Sequence, residues 1–208
     1  MDEFFMVRFS GLRKQVESRM MDRAIDGKTP PEIIAELRKT ASEIYDSALN
    51  MYHKKLLPKL EEHGVHILDY KKLTPAQKER VDASFKEVIY PILTPLALDP
   101  GHPFPHISNL SLNFFIVLKD AKGREKYARL KIPDTLPRLL PMKRSSGGVR
   151  KDGTIPHHHY FVWLEQVIEH NLPLLFKGLE VVAAYPFRIV RDAEGGYHED
   201  PGDTGEIA

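Results

Sequence analysis

The sequence predicts an α+β protein: a long helical hairpin followed by a mixed α/β unit with a mainly antiparallel sheet. Three observations carry this expectation. Apolar residues keep helical spacing through most of the chain before Pro91. From Leu110 the pattern switches to strand alternation, with Leu110, Leu112, Phe114, Ile116 and Leu118 on one face and Ser111, Asn113, Phe115 and Val117 on the other. Between the two lie Pro91, Pro95, Pro100, Pro103 and Pro105. Prolines fix φ and remove backbone donors, so neither a helix interior nor a central strand can run through that stretch. It reads as an ordered or extended connector, with the sheet beginning at about Leu110.

The bulk numbers are compatible with this. With 208 residues and 42% hydrophobic content the chain can bury a core. Thirty basic against 29 acidic residues leave a net charge of +1, so the whole-molecule field gives no argument for nucleic acid or a membrane surface as partner. Zero cysteines exclude disulfides and thiolate metal sites. No signal peptide and no apolar run of membrane-crossing length is present, which makes a cytoplasmic location the default.

Taken in order, Met1 to Asp26 carries Phe4, Phe5, Val7, Leu12, Val16, Met20 and Ile25 at amphipathic spacing, a helix expected to end at Gly27. Its aromatic residues start so close to Met1 that there is no room for a capped start, which points to a preceding segment. Thr29, Pro30 and Glu32 form a strong helix opening: an N-cap, a proline at the first helical position and a capping-box acid. The apolar positions from Ile33 to Leu60 then mark one long helix up to Gly64. Pro58 is expected to kink it near Lys54 without ending it. This helix and the first are expected to pair as an antiparallel hairpin.

Val65 to Leu68 reads as a short strand. Thr74, Pro75 and Gln77 repeat the capping logic and open a helix with Val81, Phe85, Val88, Ile89 and Ile92 inward. Beyond the proline stretch, a hairpin turning at Lys119–Gly123 leads to a strand at about 125–132, whose Ala128, Leu130 and Ile132 face inward while Tyr127, Arg129 and Lys131 form a basic outer face. Lys119 to Lys151 holds eleven basic residues against three acidic ones. Around Ser145, Ser146, Gly147 and Gly148 that region reads as a flexible cationic loop. A strand at 154–162, a helix at 163–176 and a last strand from Val181 to Ile189 follow, with Pro186 implying an edge or a bulge. Asp192 to Ala208, with six acidic residues and no Lys or Arg, is expected to be a disordered tail.

Residue chemistry alone yields no complete active site. His102, His106 and the consecutive His157, His158 and His159 invite a metal, but consecutive strand residues alternate in face and no cysteine or carboxylate pattern accompanies them. No serine sits in a nucleophile elbow, and Gly147–Gly148 lacks the strand before and helix after that a phosphate loop requires. Asn109 and Asn113 read as polar residues satisfying backbone groups at a strand mouth. Arginine forks match phosphate oxygens, which makes Arg8, Arg13 and Lys14 in the first helix and Arg124, Lys126, Arg129 and Lys131 in the hairpin candidate polyanion contacts. Of these Arg8, Arg129 and Lys131 are the substrate-binding candidates. The commoner reading of such a face is simple solvation.

Four stretches nonetheless form a recognisable set: DEFFMVRFSGL at 2–12, PILTPLALDPGHPFPHISNLSLN at 91–113, YARLKIP at 127–133 and FRIVRDAE at 187–194. Together they resemble the bacterial polyphosphate kinases of the first type. The resemblance implies an amino-terminal helical domain, partial over 1–63, a head domain involved in dimerisation over 64–191 and an acidic tail over 192–208. It implies reversible transfer of the ATP γ-phosphate to polyphosphate through a phosphohistidine with magnesium, in a homo-oligomer. The two catalytic domains that would follow are not in this sequence. The family's ATP-holding asparagine would precede Met1, and none of the ten histidines matches a catalytic-domain motif. No catalytic, cofactor or metal residue carries over, and these 208 residues are expected to be inactive alone. The alternative is a non-catalytic module that binds polyphosphate or a partner through the 119–151 region.

Overall fold

The computed structural model describes residues 1–98, 101, 104–142, 145–146 and 157–192. Two compact units emerge: Met1–Ile44 with the described residues 190–192, and Tyr45–Ile189.

In the first unit the opening helix is α1 (Asp2–Phe4), a π turn (Phe5–Phe9) and α2 (Ser10–Glu17). It stops nine residues before the expected end. Arg19 takes the left-handed conformation at φ 56°, and its N–H bonds Val16 O (3.0 Å) while Met20 N–H bonds Gln15 O (2.8 Å). That is a Schellman closure built without the usual glycine. Met20 and Ile25, expected on the buried face, are consequently exposed. Gly27 closes a separate tight turn, its N–H bonding Ala24 O. Helix α3 (Pro30–Met51) then begins as its opening predicts. Both the N–H and the Oγ1 of Thr29 donate to Glu32 Oε2 (2.7 and 2.8 Å), and these bonds hold the Glu32 carboxyl below the usual glutamate range. Leu12 and Gln15 of α2 and Pro30 and Ile33 of α3 line one cavity of about 350 Å³ together with the intervening loop.

The long helix continues through a π turn (Tyr52–Leu56) into α4 (Leu57–Glu62). The widened turn contains Lys54, whose carbonyl Pro58 cannot bond. The helix accommodates the proline by bulging and runs on.

In the second unit β1 (Val65–Leu68) is followed by α5 (Pro75–Ser84), whose Thr74–Gln77 capping box is complete in both directions. A π turn (Phe85–Ile89) and a 3₁₀ turn (Tyr90–Ile92) lead to β2 (Pro95–Leu98). Then come β3 (Leu112–Lys119), β4 (Glu125–Lys131), β5 (Leu139–Pro141), β6 (Ser145–Ser146), β7 (His157–Trp163), α6 (Leu164–Leu175) and β8 (Glu180–Arg188). One sheet has the order β2-β4-β3-β8 and is wholly antiparallel. The other has the order β1-β7-β5, with β1 parallel to β7, and β6 also pairs with β7.

Two expectations are corrected here. The sheet starts at Pro95, inside the proline-rich stretch. Strand β2 occupies a sheet margin, where a missing ladder donor is tolerated. Leu110 is outside β3: it sits at φ 59° and is exposed, its N–H bonding Ile189 O at 2.9 Å. Of the expected cationic loop, Ser145–Ser146 pair with β7 as β6, and 143–144 and 147–156 fall outside the described residues, as do His102 and the tail beyond 192. Pro186 lies in β8, the other margin of the antiparallel sheet, as expected of it.

The core lies between α5, α6 and the sheets. Phe85, Ile89, Phe114, Ile116, Leu130, Val162, Leu164, Val167, Ile168 and Leu172 are fully buried within it. A polar brace crosses its edge. Tyr70 Oη donates to Asp82 Oδ1 (2.7 Å), Asn171 Nδ2 donates to the same oxygen (2.9 Å), and Gln166 Oε1 accepts from Tyr70 N–H (2.9 Å). Burial, reinforced by the bond to Asp82, pushes the Tyr70 phenol well above its ordinary range.

Candidate functional site

The residues expected to meet a polyanion are divided between the two units. Arg8 belongs to the first unit, exposed on the π turn of the opening helix. Its neighbours are engaged nearby: Arg13 with Glu17 (3.1 Å) and Lys14 with Asp192 (2.5 Å). Arg129 and Lys131 belong to β4, in the second unit.

On β4 the alternation holds, with Ala128, Leu130 and Ile132 buried and Tyr127, Arg129 and Lys131 on the opposite face. That outer face is aromatic rather than basic. Strand register places Leu96, Arg129, Phe115 and Tyr185 in one row across the sheet, with Leu98, Tyr127, Val117 and Ala183 in the next. Phe115 and Tyr127 stack at 5.6 Å, and Tyr185 is 59% exposed. Alternation along β4 alone predicts a basic surface, whereas a sheet face takes its character from all the strands that cross it.

Arg129 is a structural anchor. Its Nε donates to Asn113 Oδ1 (2.9 Å) and its Nη1 to His106 O (3.3 Å). Asn113, fully buried, donates from Nδ2 to the backbone oxygen and Oγ of Ser111 (both 3.0 Å), and Ser111 Oγ donates to Ser108 O (2.7 Å). Arg188 Nε donates to Leu110 O (3.1 Å) from the other side. Two guanidinium groups thus pin the 106–111 turn, and Phe104 and His106 at its start are displayed to solvent. Arg124 is likewise committed, its Nε and Nη2 meeting Asp120 Oδ2 at 2.8 and 2.7 Å in the β3–β4 turn. Hydrogen bonds from the Arg124 backbone and side chain hold the Asp120 carboxyl below its usual range. Lys126 and Lys131 are exposed on the hairpin, and neither makes an ion pair among the described residues.

Asn113 as a buried hub is visible in the sequence only as a polar residue on an apolar strand, the pattern that demands a partner. Replacing Asn113 with Ala should cost about 2–3 kcal/mol, because it orphans the half-buried Arg129 Nε as well as removing its own bonds. Chemical denaturation measures the loss, and a change below about 0.5 kcal/mol would show the network to be dispensable.

The profile of the polyphosphate kinase middle domain matches residues 76–204, and that of the polyphosphate kinase N-terminal domain matches residues 1–68. This chain belongs to the polyphosphate kinase family. Among its relatives, the polyphosphate kinase of Prosthecochloris aestuarii is 40% identical over 201 residues, covering 96% of this chain and 28% of the relative. Polyphosphate kinase 1 of Chlorobaculum tepidum is 39% identical with the same coverage. The crystal structure of polyphosphate kinase from Porphyromonas gingivalis superposes with a TM-score of 0.74 at 25% identity, over 93% of this chain and 27% of that one. The chain therefore spans little more than a quarter of the length of these polyphosphate kinases. Family membership and the α+β fold agree with the resemblance carried by the four sequence stretches.

The resemblance implies ATP and magnesium for the full-length family, with neither assigned to residues of this chain. No three His, Cys, Asp or Glu side chains converge among the described residues in a way that could hold a cation. The arginines best suited to phosphate on the hairpin are tied to Asn113, His106 and Asp120. No chemical step is assigned to either group in this chain.

Proposed function

We propose that this chain is part of an ATP:polyphosphate phosphotransferase, which moves the ATP γ-phosphate reversibly onto polyphosphate through a phosphohistidine. Residues 1–63 act as the partial helical domain, 64–191 as the head and 192–208 as an acidic tail. Their contribution is scaffold and homo-oligomer contact in a cytoplasmic enzyme, with ATP, magnesium and the reacting histidine handled by other domains. The observation that carries this reading is the pair of consecutive domain profiles, N-terminal then middle. No helix among the described residues is long and apolar enough to cross a membrane.

The purified 208-residue chain, given ATP and magnesium, should form no polyphosphate. Magnesium-dependent turnover by this chain alone would overturn the scaffold role.

The second reading is a polyphosphate-binding module, favoured by the exposed Lys126 and Lys131 on the hairpin. Lys131→Glu is the informative variant, since reversing Arg129 would also dismantle the 106–111 turn. Salt-dependent retention on immobilised polyphosphate that Lys131→Glu weakens would support the module. No retention by the unaltered chain would remove it.

A further inference from the structure

Register brings two histidines face to face on one side of the parallel β1–β7 pair. His66 stands opposite Tyr160, and His158 lies two residues before Tyr160 on the same face. His66 Nε2 is 2.8 Å from His158 Nδ1, a hydrogen bond between two imidazole rings. His66 also stacks on Tyr160 at 4.6 Å, and its other ring nitrogen, Nδ1, is 3.6 Å from Glu61 Oε1 at the end of α4. Its side chain is only 13% exposed. Titratable groups in contact with the pair include Glu61 from α4 and Tyr160 from β7. Opposite His158 on β6 is Ser145, a residue that does not titrate.

Proton counting decides what this row can do. An N–H···N bond needs one donor and one acceptor. Two neutral rings satisfy it, and so does one cation beside one neutral ring. Two cations do not, because all four ring nitrogens then carry hydrogen and no acceptor is left. Two like charges would also sit in contact in a mostly buried place. Besides the two rings, β1 is held by its backbone ladder to β7, by the bond from His159 N–H to Gly64 O and by Leu68 packed against the core. β1 is four residues long, lies at the sheet margin and is nowhere fully buried.

We propose that Glu61, His66 and His158 form a pH-operated latch that holds β1 on β7 while the rings carry at most one charge, and releases it when both are cationic. Histidine is the side chain that changes charge between about pH 5 and 8, so the device would work across mildly acidic conditions. Release would loosen the segment joining α4 to Tyr70, while the core around Val162 and Leu164 keeps β7 in place.

Amide hydrogen exchange on the full chain, corrected for the intrinsic pH dependence, tests this. Between about pH 7.5 and pH 5, protection at Val65–Leu68 should fall roughly tenfold in the unaltered chain and less than about twofold in His158→Gln, whose amide keeps a bond but takes no charge. Equal behaviour of the two chains, or no fall in the unaltered one, overturns the latch. A second reading needs no variant. Nitrogen-15 spectra should show coupling through the hydrogen bond between His66 Nε2 and His158 Nδ1 at the higher pH and its loss at the lower. Absence of the coupling at the higher pH overturns the proposal.

Discussion

Phe85→Ala should lower the unfolding free energy of the Tyr45–Ile189 unit by about 3–5 kcal/mol, the range found when a buried aromatic ring is cut to a methyl. Phe85 is fully buried and opens the π turn that links α5 to the 3₁₀ turn, with its ring edge-on to Tyr90 at 6.2 Å. The helix is already widened at that point, so its backbone has little freedom left to close over a cavity, which places the cost toward the upper end. Trp163 is the only tryptophan and lies in the same unit, so its fluorescence during urea unfolding reports the loss directly. A change below about 1 kcal/mol would mean that the site collapses and that the π turn does not hold the core open.

Gly64→Ala should be nearly as costly, roughly 2–4 kcal/mol, from two sources that a control separates. Gly64 sits at φ 80°, and left-handed backbone costs a residue with a Cβ about 1–2 kcal/mol. A Cβ there would also stand 2.9 Å from His157 O, a backbone atom of β7. Relief by movement is blocked, because His159 N–H bonds Gly64 O at 2.8 Å and locks the two segments together. Gly123, at φ 76° in the β3–β4 turn, has open space where its Cβ would be. Gly123→Ala should therefore show the backbone cost alone, and equal destabilisation of the two variants would refute the contact argument.

The elements whose signals are local are legible in the amino-acid order itself. Thr29–Glu32 and Thr74–Gln77 announce helix starts because capping is a matter of three neighbouring residues. The inward row of β4 is set by alternation. The features that sequence does not reveal depend on partners remote along the chain or on backbone choices without a residue signature. The opening helix ends early because Arg19 adopts a conformation that side-chain identity does not advertise. Strand β2 hides among prolines because its role as a margin depends on β4, some thirty residues away. The candidate site is the least legible part. Arg129 reads as a free cation until Asn113 and His106 are placed beside it, and the outer face reads as basic until β3 and β8 bring Phe115 and Tyr185 alongside. His66 and His158 are 92 positions apart, so no spacing rule pairs them.

The two prolines at the margins of the antiparallel sheet, Pro95 in β2 and Pro186 in β8, constrain how copies of this chain can meet. An outermost strand is normally an invitation to a neighbour's backbone, and each proline withdraws a donor from it. A bulge between Val117 and Leu118 further disturbs the register on the β8 side. Growth of the sheet sideways from molecule to molecule is thereby disfavoured on both flanks. An assembly through these two margins is therefore expected to rest on side chains meeting across surfaces, which can be tuned residue by residue, more than on an open-ended ladder of strands.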